Sequence, residues 1–185
     1  MKLAYADPPY LGCARRYRDH PDAARWDNPA EHGALMARME TTYDGWALSA
    51  GMNSLQELLP FAPAGIRIAA WVKPFSAAFP TVRIAYAWEP VIYRPARPLT
   101  REGATSVKDF LVENMALRRG LVGAKPERFC RWLLDLLGYL DGDMVDDLFP
   151  GTGVMDAVLR QGTLAINRRD TQDANHLPQH APPVP

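Results

Sequence analysis

Short apolar runs and helical periodicities alternate along this chain of 185 residues. The run from Leu3 to Ala6 is continuous and apolar, and it predicts a buried strand close to the N-terminus. Between Pro29 and Thr41, the apolar residues Leu35, Met36 and Met39 recur at helical spacing and predict an amphipathic helix. A strand followed by a helix is the usual opening of an α/β protein.

The next stretch predicts a short helix and two further strands. Ser54 to Glu57 has the pattern of a capping box, in which Ser54 would cap a helix that ends near Pro60. The run from Ile66 to Val72 is apolar and stops at a Lys-Pro pair, as a buried strand would. The segment from Tyr86 to Tyr93 predicts the following strand.

The character of the chain changes between residues 95 and 123. This region is polar and carries several proline and glycine breakers, so it predicts a loop. Within it, Val107 to Leu117 predicts one short helix. We therefore expect a short insert rather than a second domain.

The C-terminal half predicts the clearest helix and a strand that leads into a glycine-rich loop. Glu127 to Leu137 places its apolar residues on one face, and Pro126 suits the first helical turn. The residues from Asp143 onward predict a buried strand, the loop and then a helix from Val154 to Leu159, and Thr163 to Ile166 predicts a last strand. This alternation indicates an α/β sandwich, with a mostly parallel sheet and helices on both faces.

Charge limits how the protein could attract a partner. The chain has 21 basic and 21 acidic residues, so its overall field does not attract nucleic acid in general. A local candidate is the run Arg15, Arg16, Tyr17 and Arg18, whose cations could contact phosphates while Tyr17 stacks on a base. A solvated loop face explains the same run equally well.

The scarcity of cysteine limits the chemistry and the compartment. Cys13 and Cys130 are too few for a disulfide framework or a zinc site, and the four histidines have no metal-ligand spacing, so no metal is implied. The N-terminus has no secretory pattern, and no apolar run approaches the roughly 20 residues that span a bilayer. We expect a cytoplasmic protein with reduced thiols and no membrane partner.

The tetrapeptide Asp7-Pro8-Pro9-Tyr10 directly follows the first predicted strand. Proline fixes φ and has no N–H, so the carbonyl groups of Asp7 and Pro8 can point into a cleft. Together with the carboxylate they can hold the hydrogens of a planar exocyclic amine, and the ring of Tyr10 offers a face to an extruded base. Taken alone, the motif is equally compatible with a proline-rich turn after an edge strand.

A second motif lies far downstream, in the segment from Asp147 to Gly153. Its two glycines, Gly151 and Gly153, would let the backbone approach a ligand closely. The segment has neither the full spacing of a dinucleotide-binding loop nor the Gly-Lys-Ser/Thr of a phosphate loop. Phosphate is therefore not the expected ligand.

The two motifs resemble the signatures of the S-adenosylmethionine-dependent DNA N6-adenine methyltransferases, Asp-Pro-Pro-Tyr/Trp and Asp-x-Phe-x-Gly-x-Gly. Their order, with the catalytic motif first, is similar to that of the circularly permuted (β) class, phage adenine methylases and the MT-A70 family. Gly123 to Pro126 resembles the Lys-Pro motif of this family. Ala70 to Pro74 resembles its Trp-x-Lys strand and Trp88 to Tyr93 its His-Glu-x-Ile strand, with Trp88 in place of histidine. The resemblance spans Leu3 to about Asp170.

The resemblance implies methyl transfer from S-adenosylmethionine to the N6 amine of adenine in DNA, on a Rossmann-like methyltransferase sandwich. It assigns the catalytic role to Asp7, Pro8, Pro9 and Tyr10. It assigns cofactor binding to Ala6, Asp7, Lys125, Pro126, Asp147, Phe149, Gly151, Thr152, Gly153 and Asn167. Asn167 stands where relatives carry an acidic residue for the ribose hydroxyls, but its amide can both donate and accept, and Asp170 follows three residues later.

The resemblance also implies a layout and partners. Residues 1–172 would form one methyltransferase domain, with a recognition insert at 95–123, and residues 173–185 a flexible proline-rich tail. Nucleic acid is the implied substrate, with DNA favoured over RNA. A homodimer is expected because the chain stops before a third strand of the cofactor half. An RNA adenine methyltransferase and a catalytically degenerate partner subunit are the alternatives.

Overall fold

The computed structural model describes five stretches of the chain, residues 1–17, 20–75, 83–98, 106–116 and 124–161. They contain the strands Lys2–Ala6 (β1), Gly45–Ser49 (β2), Arg67–Val72 (β3), Trp88–Arg94 (β4), Phe110–Val112 (β5) and Met144–Asp147 (β6). The α-helices are Pro29–Thr42 (α1), Leu55–Leu58 (α2), Glu127–Leu137 (α3) and Val154–Arg160 (α4). Two 3-10 turns, Ala14–Tyr17 and Ala23–Asp27, lie between β1 and α1.

All strands of the described stretches belong to one sheet, in the order β5-β3-β4-β2-β1-β6. The strand β1 lies between two parallel partners, β2 and β6. The strand β4 is antiparallel to both of its neighbours, β2 and β3, whereas β5 is parallel to β3. Since only β4 is reversed, the mostly parallel sheet that the sequence predicts is confirmed.

Helices cover both faces of the sheet and divide the core into two clusters. On one face, α1 contributes Met36 and Met39 to a cluster that contains Trp46 of β2. On the other face, Phe129 of α3 packs against Trp71 of β3, with ring centroids 5.0 Å apart. All five side chains are almost fully buried. The Rossmann-like α/β sandwich, with helices on both faces, is thereby confirmed.

Two features of the middle of the chain differ from the sequence-based expectation. The patterns predict no strand at Gly45–Ser49, yet this segment is the fully buried β2. The helix predicted from Val107 to Leu117 is wrong in its described part, where Phe110–Val112 forms β5. Leu111 is buried while its two neighbours are exposed, which is the period of two of a strand. Pairing with β3 decides the conformation of this short segment.

The predicted capping box at Ser54 is also wrong. A 3-10 turn, Met52–Ser54, precedes α2 and holds Ser54 in a helical conformation with φ −89° and ψ −13°. An N-cap that accepts from the helix usually has a non-helical backbone. Ser54 precedes α2 with a helical backbone, and its hydroxyl makes no capping hydrogen bond. The short helix still ends close to the predicted position, since α2 passes into a 3-10 turn over Leu59–Phe61.

Several predictions lie outside the described residues. They are the strand from Thr163 to Ile166, Asn167, Asp170, Arg18 and the tail at 173–185. The division into one domain of residues 1–172 with an insert at 95–123 stays a prediction. Within the described part of the chain, no helix combines the length and the apolar composition needed to cross a bilayer.

Candidate active site

The sheet topology gathers four charged side chains at one edge. The strands β1, β3 and β6 run in the same direction, so their last residues meet there, and the reversed β4 begins there. Asp7 follows β1, Lys73 follows β3, and Asp147 ends β6, while Glu89 is the second residue of β4. The carboxyl ends of strands are the usual location of ligand sites in open α/β sheets.

Asp7 and Lys125 form an ion pair at this edge. The Nζ atom of Lys125 donates hydrogen bonds to Oδ1 and Oδ2 of Asp7, each 2.9 Å long. Lys125 lies just before α3 and is only 8% exposed, so the pair is largely shielded from water. A carboxylate has about four lone-pair sites, and Asp7 can therefore accept further hydrogens from a ligand.

The hydroxyl group of Tyr10 lies within hydrogen-bond distance of three side chains. Its oxygen is 3.0 Å from Oε2 of Glu89 and 3.3 Å from Oδ1 of Asp7, both of which are acceptors. Lys125 Nζ donates to the same oxygen over 3.1 Å. A phenol has one hydrogen to donate, and the shorter distance assigns that hydrogen to Glu89.

Glu89 is held in turn by Lys73. The Nζ atom of Lys73 lies 2.5 Å from Oε1 of Glu89, while Oε2 faces Tyr10. The same Oε2 lies 3.9 Å from Nζ of Lys125. The sequence motifs assign neither Glu89 nor Lys73 to the site. The signals for them are that each stands at an end of an apolar predicted strand, and that Lys73 and Glu89 belong to the segments that resemble the Trp-x-Lys and His-Glu-x-Ile strands.

The electrostatics of this cluster keep its proton donors protonated. Burial alone would lower the pKa of Lys125, but the carboxylates of Asp7 and Glu89 outweigh it and raise that pKa above its ordinary value. Burial, together with the same two carboxylates, raises the pKa of Tyr10 well above its ordinary value. Neither Lys125 nor Tyr10 is therefore a general base near neutral pH.

Three of the predicted residues, Ala6, Pro8 and Pro126, contribute to the packing and the backbone of the site and not to its charged groups. Ala6 is the last residue of β1 and is fully buried, and Pro8 is buried beside it. Pro126 stands at the start of α3, where its carbonyl accepts the N–H of Phe129 over 3.0 Å. Proline cannot donate a backbone hydrogen bond, so it is well tolerated at this helix boundary and leaves Lys125 in place directly before the helix.

The glycine-rich loop after β6 turns sharply into α4. Gly151 and Gly153 have φ values of +45° and +69°, which L side chains rarely adopt. The N–H of Phe149 donates to Oδ1 of Asp147 over 3.2 Å, so the carboxylate that ends β6 also shapes the first turn of the loop. Thr152 lies half-buried between the two glycines.

A cleft of about 610 Å³ lies between this loop and the segment that follows Asp7 to Tyr10. Its lining includes eight residues predicted from the sequence, Asp7, Pro9, Tyr17, Lys125, Asp147, Phe149, Gly151 and Thr152. The opposite wall is formed by residues that no motif indicates, His20, Asp22, Arg25 and Trp26. Trp26 contacts Phe149 edge-on, with ring centroids 5.1 Å apart, so the two walls meet at this aromatic pair.

Two titratable groups of the cleft are shifted by burial. Burial raises the pKa of Asp147 to about 6, and the negative charges of Asp156 and Asp7 add to the shift while the N–H of Phe149 opposes it. Burial likewise raises the pKa of the Cys130 thiol to about 12. Cys130 is thus neutral at physiological pH and is not a nucleophile, whereas Asp147 titrates within the physiological range.

The predicted nucleic-acid-binding run lies beside the cleft. Arg15, Arg16 and Tyr17 belong to the exposed 3-10 turn Ala14–Tyr17, and Tyr17 contributes to the lining of the cleft. Arg18 lies outside the described residues. The described part of the run therefore places Tyr17 in the same cleft as Asp7, with the exposed Arg15 and Arg16 on the same turn as Tyr17.

Comparison with known proteins gives a likeness among solved structures. No protein-family model matches this chain, and no curated protein matches it. Among solved structures, the chain is similar to the crystal structure of an M1.HpyAVI–SAM complex, with 13% sequence identity and a TM-score of 0.54. The match covers 86% of this chain and 78% of that chain. The likeness shows a shared fold, in agreement with the α/β class that the sequence predicts.

Proposed function

We propose that the protein transfers a methyl group from S-adenosylmethionine to the exocyclic N6 amine of adenine in DNA. The observation that carries the proposal is that the carboxylate of Asp7 lines the same cleft as the glycine-rich loop after β6. The solved structure that shares the fold is a SAM complex. A carboxylate that can accept the hydrogens of an amine and a loop that suits this cofactor thus line one cleft.

The residues around the cleft fit S-adenosylmethionine by charge and size. The cofactor carries an ammonium, a carboxylate and a positive sulfonium. Asp147 offers its carboxylate to a cationic group, and Lys125 offers its ammonium to the carboxylate. In the segment from Gly151 to Gly153, Thr152 alone has a side chain, so the loop presents little bulk to the ligand. The volume of about 610 Å³ lies within the 300–1,000 Å³ usual for small-molecule sites.

Asp7 and the carbonyl group of Pro8 would accept the two hydrogens of the target amine. The amine lone pair of adenine is delocalised into the ring, and this grip favours the pyramidal nitrogen that is nucleophilic. Tyr10 would lie against the extruded base. When bound, S-adenosylmethionine supplies an electrophilic methyl group on a sulfonium, which becomes a neutral thioether after transfer.

The protein would act by positioning and not by removing a proton with a strong base. Lys125 and Tyr10 are both protonated at neutral pH because of the raised pKa of each. Lys125 can therefore orient Asp7, and neither group deprotonates the amine before the transfer. As the bond from sulfur to the methyl carbon breaks and the bond from nitrogen forms, the nitrogen would become positively charged, and it would then release one of its two protons to the carboxylate of Asp7 and from there to water. Holding the amine in line with the methyl group and excluding water supply the acceleration.

The resemblance of the two motifs favours DNA, and the turn beside the cleft supports a nucleic-acid substrate in general. Arg15 and Arg16 are exposed on the turn Ala14–Tyr17, within a few residues of Tyr10. Cations in this position can contact backbone phosphates while a base is held at the motif.

The test is mass spectrometry of nucleosides after incubation with S-adenosylmethionine and, separately, DNA and RNA. We expect N6-methyladenine in the DNA pool and none with Asp7→Ala. Asp146→Ala is the matched control, since Asp146 pairs with Lys2 on the surface over 3.2 Å. Methylation in the RNA pool alone would move the substrate to RNA.

Cofactor binding separates an active enzyme from a degenerate partner subunit. S-adenosylmethionine at a hundred times its dissociation constant should stabilise the fold by about 2.7 kcal/mol in a thermal-shift experiment. No shift, together with no methylated base in either pool, would refute the enzyme and leave the partner-subunit alternative.

A further inference from the structure

The backbone and ring edge of Tyr10 are fixed by the surrounding fold. Its carbonyl accepts the N–H of Cys13 over 2.8 Å, which closes a turn directly after the motif. A Cβ placed on Gly51 would lie 3.4 Å from Cδ2 of Tyr10, so the ring edge lies near the chain just beyond β2. The tilt of the ring then depends on what holds its hydroxyl, and the acceptor of that hydroxyl hydrogen is Glu89 at 3.0 Å.

Glu89 is carried by a rigid part of the molecule. It lies within the antiparallel pair of β3 and β4, opposite Trp71. The N–H of Lys73 donates to the carbonyl of Ala87 over 2.7 Å, which extends the ladder beyond the last paired residues. An acceptor on paired strands holds its partner more accurately than one on a loop.

Lys73 neutralises Glu89 and orients it. The ammonium of Lys73 donates to Oε1 of Glu89 over 2.5 Å, and Oε2 of Glu89 accepts the hydrogen of the Tyr10 hydroxyl. Both side chains are less than one-fifth exposed, so an unpaired Glu89 would be unfavourable in this position. The pairing with Lys73 therefore fixes which oxygen of Glu89, Oε2, accepts the hydrogen bond from Tyr10.

Tyr10 and its partner Glu89 adjoin the cofactor cleft through Asp7 and Lys125 but do not line it. Among the described residues that line the cleft are Asp7 and Lys125 but not Tyr10, Glu89 or Lys73. Asp7 thus lines the cleft and also lies 3.3 Å from the Tyr10 hydroxyl.

We propose that Glu89, oriented by Lys73, is a positioning residue that fixes the Tyr10 ring against the target base. This inference rests on the proposed adenine methylation. It assigns Glu89 and Lys73 to the presentation of the base and not to the binding of the cofactor. Glu89 acts through the Tyr10 hydroxyl and touches neither the methyl donor nor the amine.

A double-mutant cycle tests this dependence directly. We compare Tyr10→Phe, Glu89→Ala and the variant with both changes, with kcat and KM for DNA and the dissociation constant of S-adenosylmethionine as readouts. If Glu89 acts through the hydroxyl, each single change lowers kcat about 10- to 100-fold, as a misplaced group does, and the double variant loses no more than the worse single one. The affinity for S-adenosylmethionine stays within about twofold of wild type, because the cofactor cleft is not lined by these residues.

Conservative variants distinguish a positioning role from a structural one. Glu89→Gln has a single acceptor oxygen, for which Lys73 and Tyr10 compete. Glu89→Gln combined with Lys73→Met leaves that oxygen to Tyr10, and this double variant should retain kcat within about threefold of wild type. Lys73→Met should lower kcat in the same way as Glu89→Ala, but to a smaller extent. Tyr43→Phe is the matched control, since Tyr43 donates to Asp146 over 2.9 Å away from this cluster.

Three outcomes would overturn the inference. They are a Tyr10→Phe variant as active as wild type, a double variant whose loss is the product of the single losses, and a weakened affinity for S-adenosylmethionine in Glu89→Ala. If wild type methylates nothing, the proposed function fails and the contact is read by NMR of protein labelled at the tyrosine Cζ. The Tyr10 signal, assigned with Tyr10→Phe, should then shift in Glu89→Ala, and an unmoved signal would overturn the contact itself.

Discussion

Replacing Lys125 with methionine would remove the cation of the central ion pair while keeping much of the side-chain volume. The carboxylate of Asp7 would lose both of its 2.9 Å hydrogen bonds from Nζ. Tyr10 would remain as one possible donor at 3.3 Å. The variant therefore measures the cost of leaving this carboxylate without its buried counter-ion.

The expected cost follows from the exposure of the two side chains. Removing one partner of a buried ion pair typically costs about 3–5 kcal/mol. The Lys125 side chain is 9% exposed but that of Asp7 is 23% exposed, so water can solvate part of the orphaned carboxylate. We therefore expect about 2–3 kcal/mol of lost stability, less than for a fully buried pair. For a protein of this size, that corresponds to a fall in Tm of about 4–12 °C.

Urea unfolding followed by tryptophan fluorescence measures this loss. The matched control is Lys2→Met, whose ion pair with Asp146 joins side chains that are 41% and 44% exposed, and it should cost less than about 1 kcal/mol. Adding Asp7→Asn to Lys125→Met should recover at least about half of the loss, because the orphaned charge is gone. A Lys125→Met variant as stable as the control, or a double variant as unstable as Lys125→Met, would refute this account of the pair.

Two further predictions concern the cofactor cleft. Because burial raises the pKa of Asp147 to about 6, this residue favours the folded state below the usual aspartate pKa, and that contribution is lost as the pH rises through about 6. The affinity for S-adenosylmethionine should change in the opposite direction, rising through about pH 6 as the carboxylate ionises, and Asp147→Asn should flatten both profiles in calorimetry and urea unfolding. Gly151→Ala and Gly142→Ala should each cost about 1 kcal/mol of stability, since both glycines have positive φ. Only Gly151→Ala should weaken S-adenosylmethionine binding in calorimetry, because Gly151 lines the cleft, and equal binding by both variants would contradict the role of the loop.

The sequence predicts those parts of the site whose residues are contiguous. Asp7 to Tyr10 and Asp147 to Gly153 are each a single short segment at a strand end, and both lie at the same edge of the sheet. Glu89 is 79 residues from Tyr10 and 16 residues from Lys73. Only the pairing of the strands within the sheet brings these three residues together. No local pattern encodes that contact.

The errors in secondary structure have a related cause. The segment Gly45–Ser49 is a five-residue run without alternation, since as an inner strand it is buried on both faces. The three-residue β5 is too short for any period to be read, and its partner Arg67–Val72 decides its conformation. By contrast, Pro29–Thr42 and Glu127–Leu137 are long amphipathic helices, and their bounds agree with the predicted ones to within a residue.

The charge arrangement at the edge of the sheet explains why this site suits an amine that is neutral. Lys73, Glu89, Lys125 and Asp7 contribute two positive and two negative charges, and each carboxylate contacts at least one ammonium. A cluster that is balanced and mostly buried would be upset by a substrate group with a charge of its own, because the excess charge would have no counter-ion. A planar, uncharged amine adds only hydrogen-bond donors, and Asp7 can accept them without losing Lys125. The proposed substrate thus belongs to the chemical class that disturbs this arrangement of charges least.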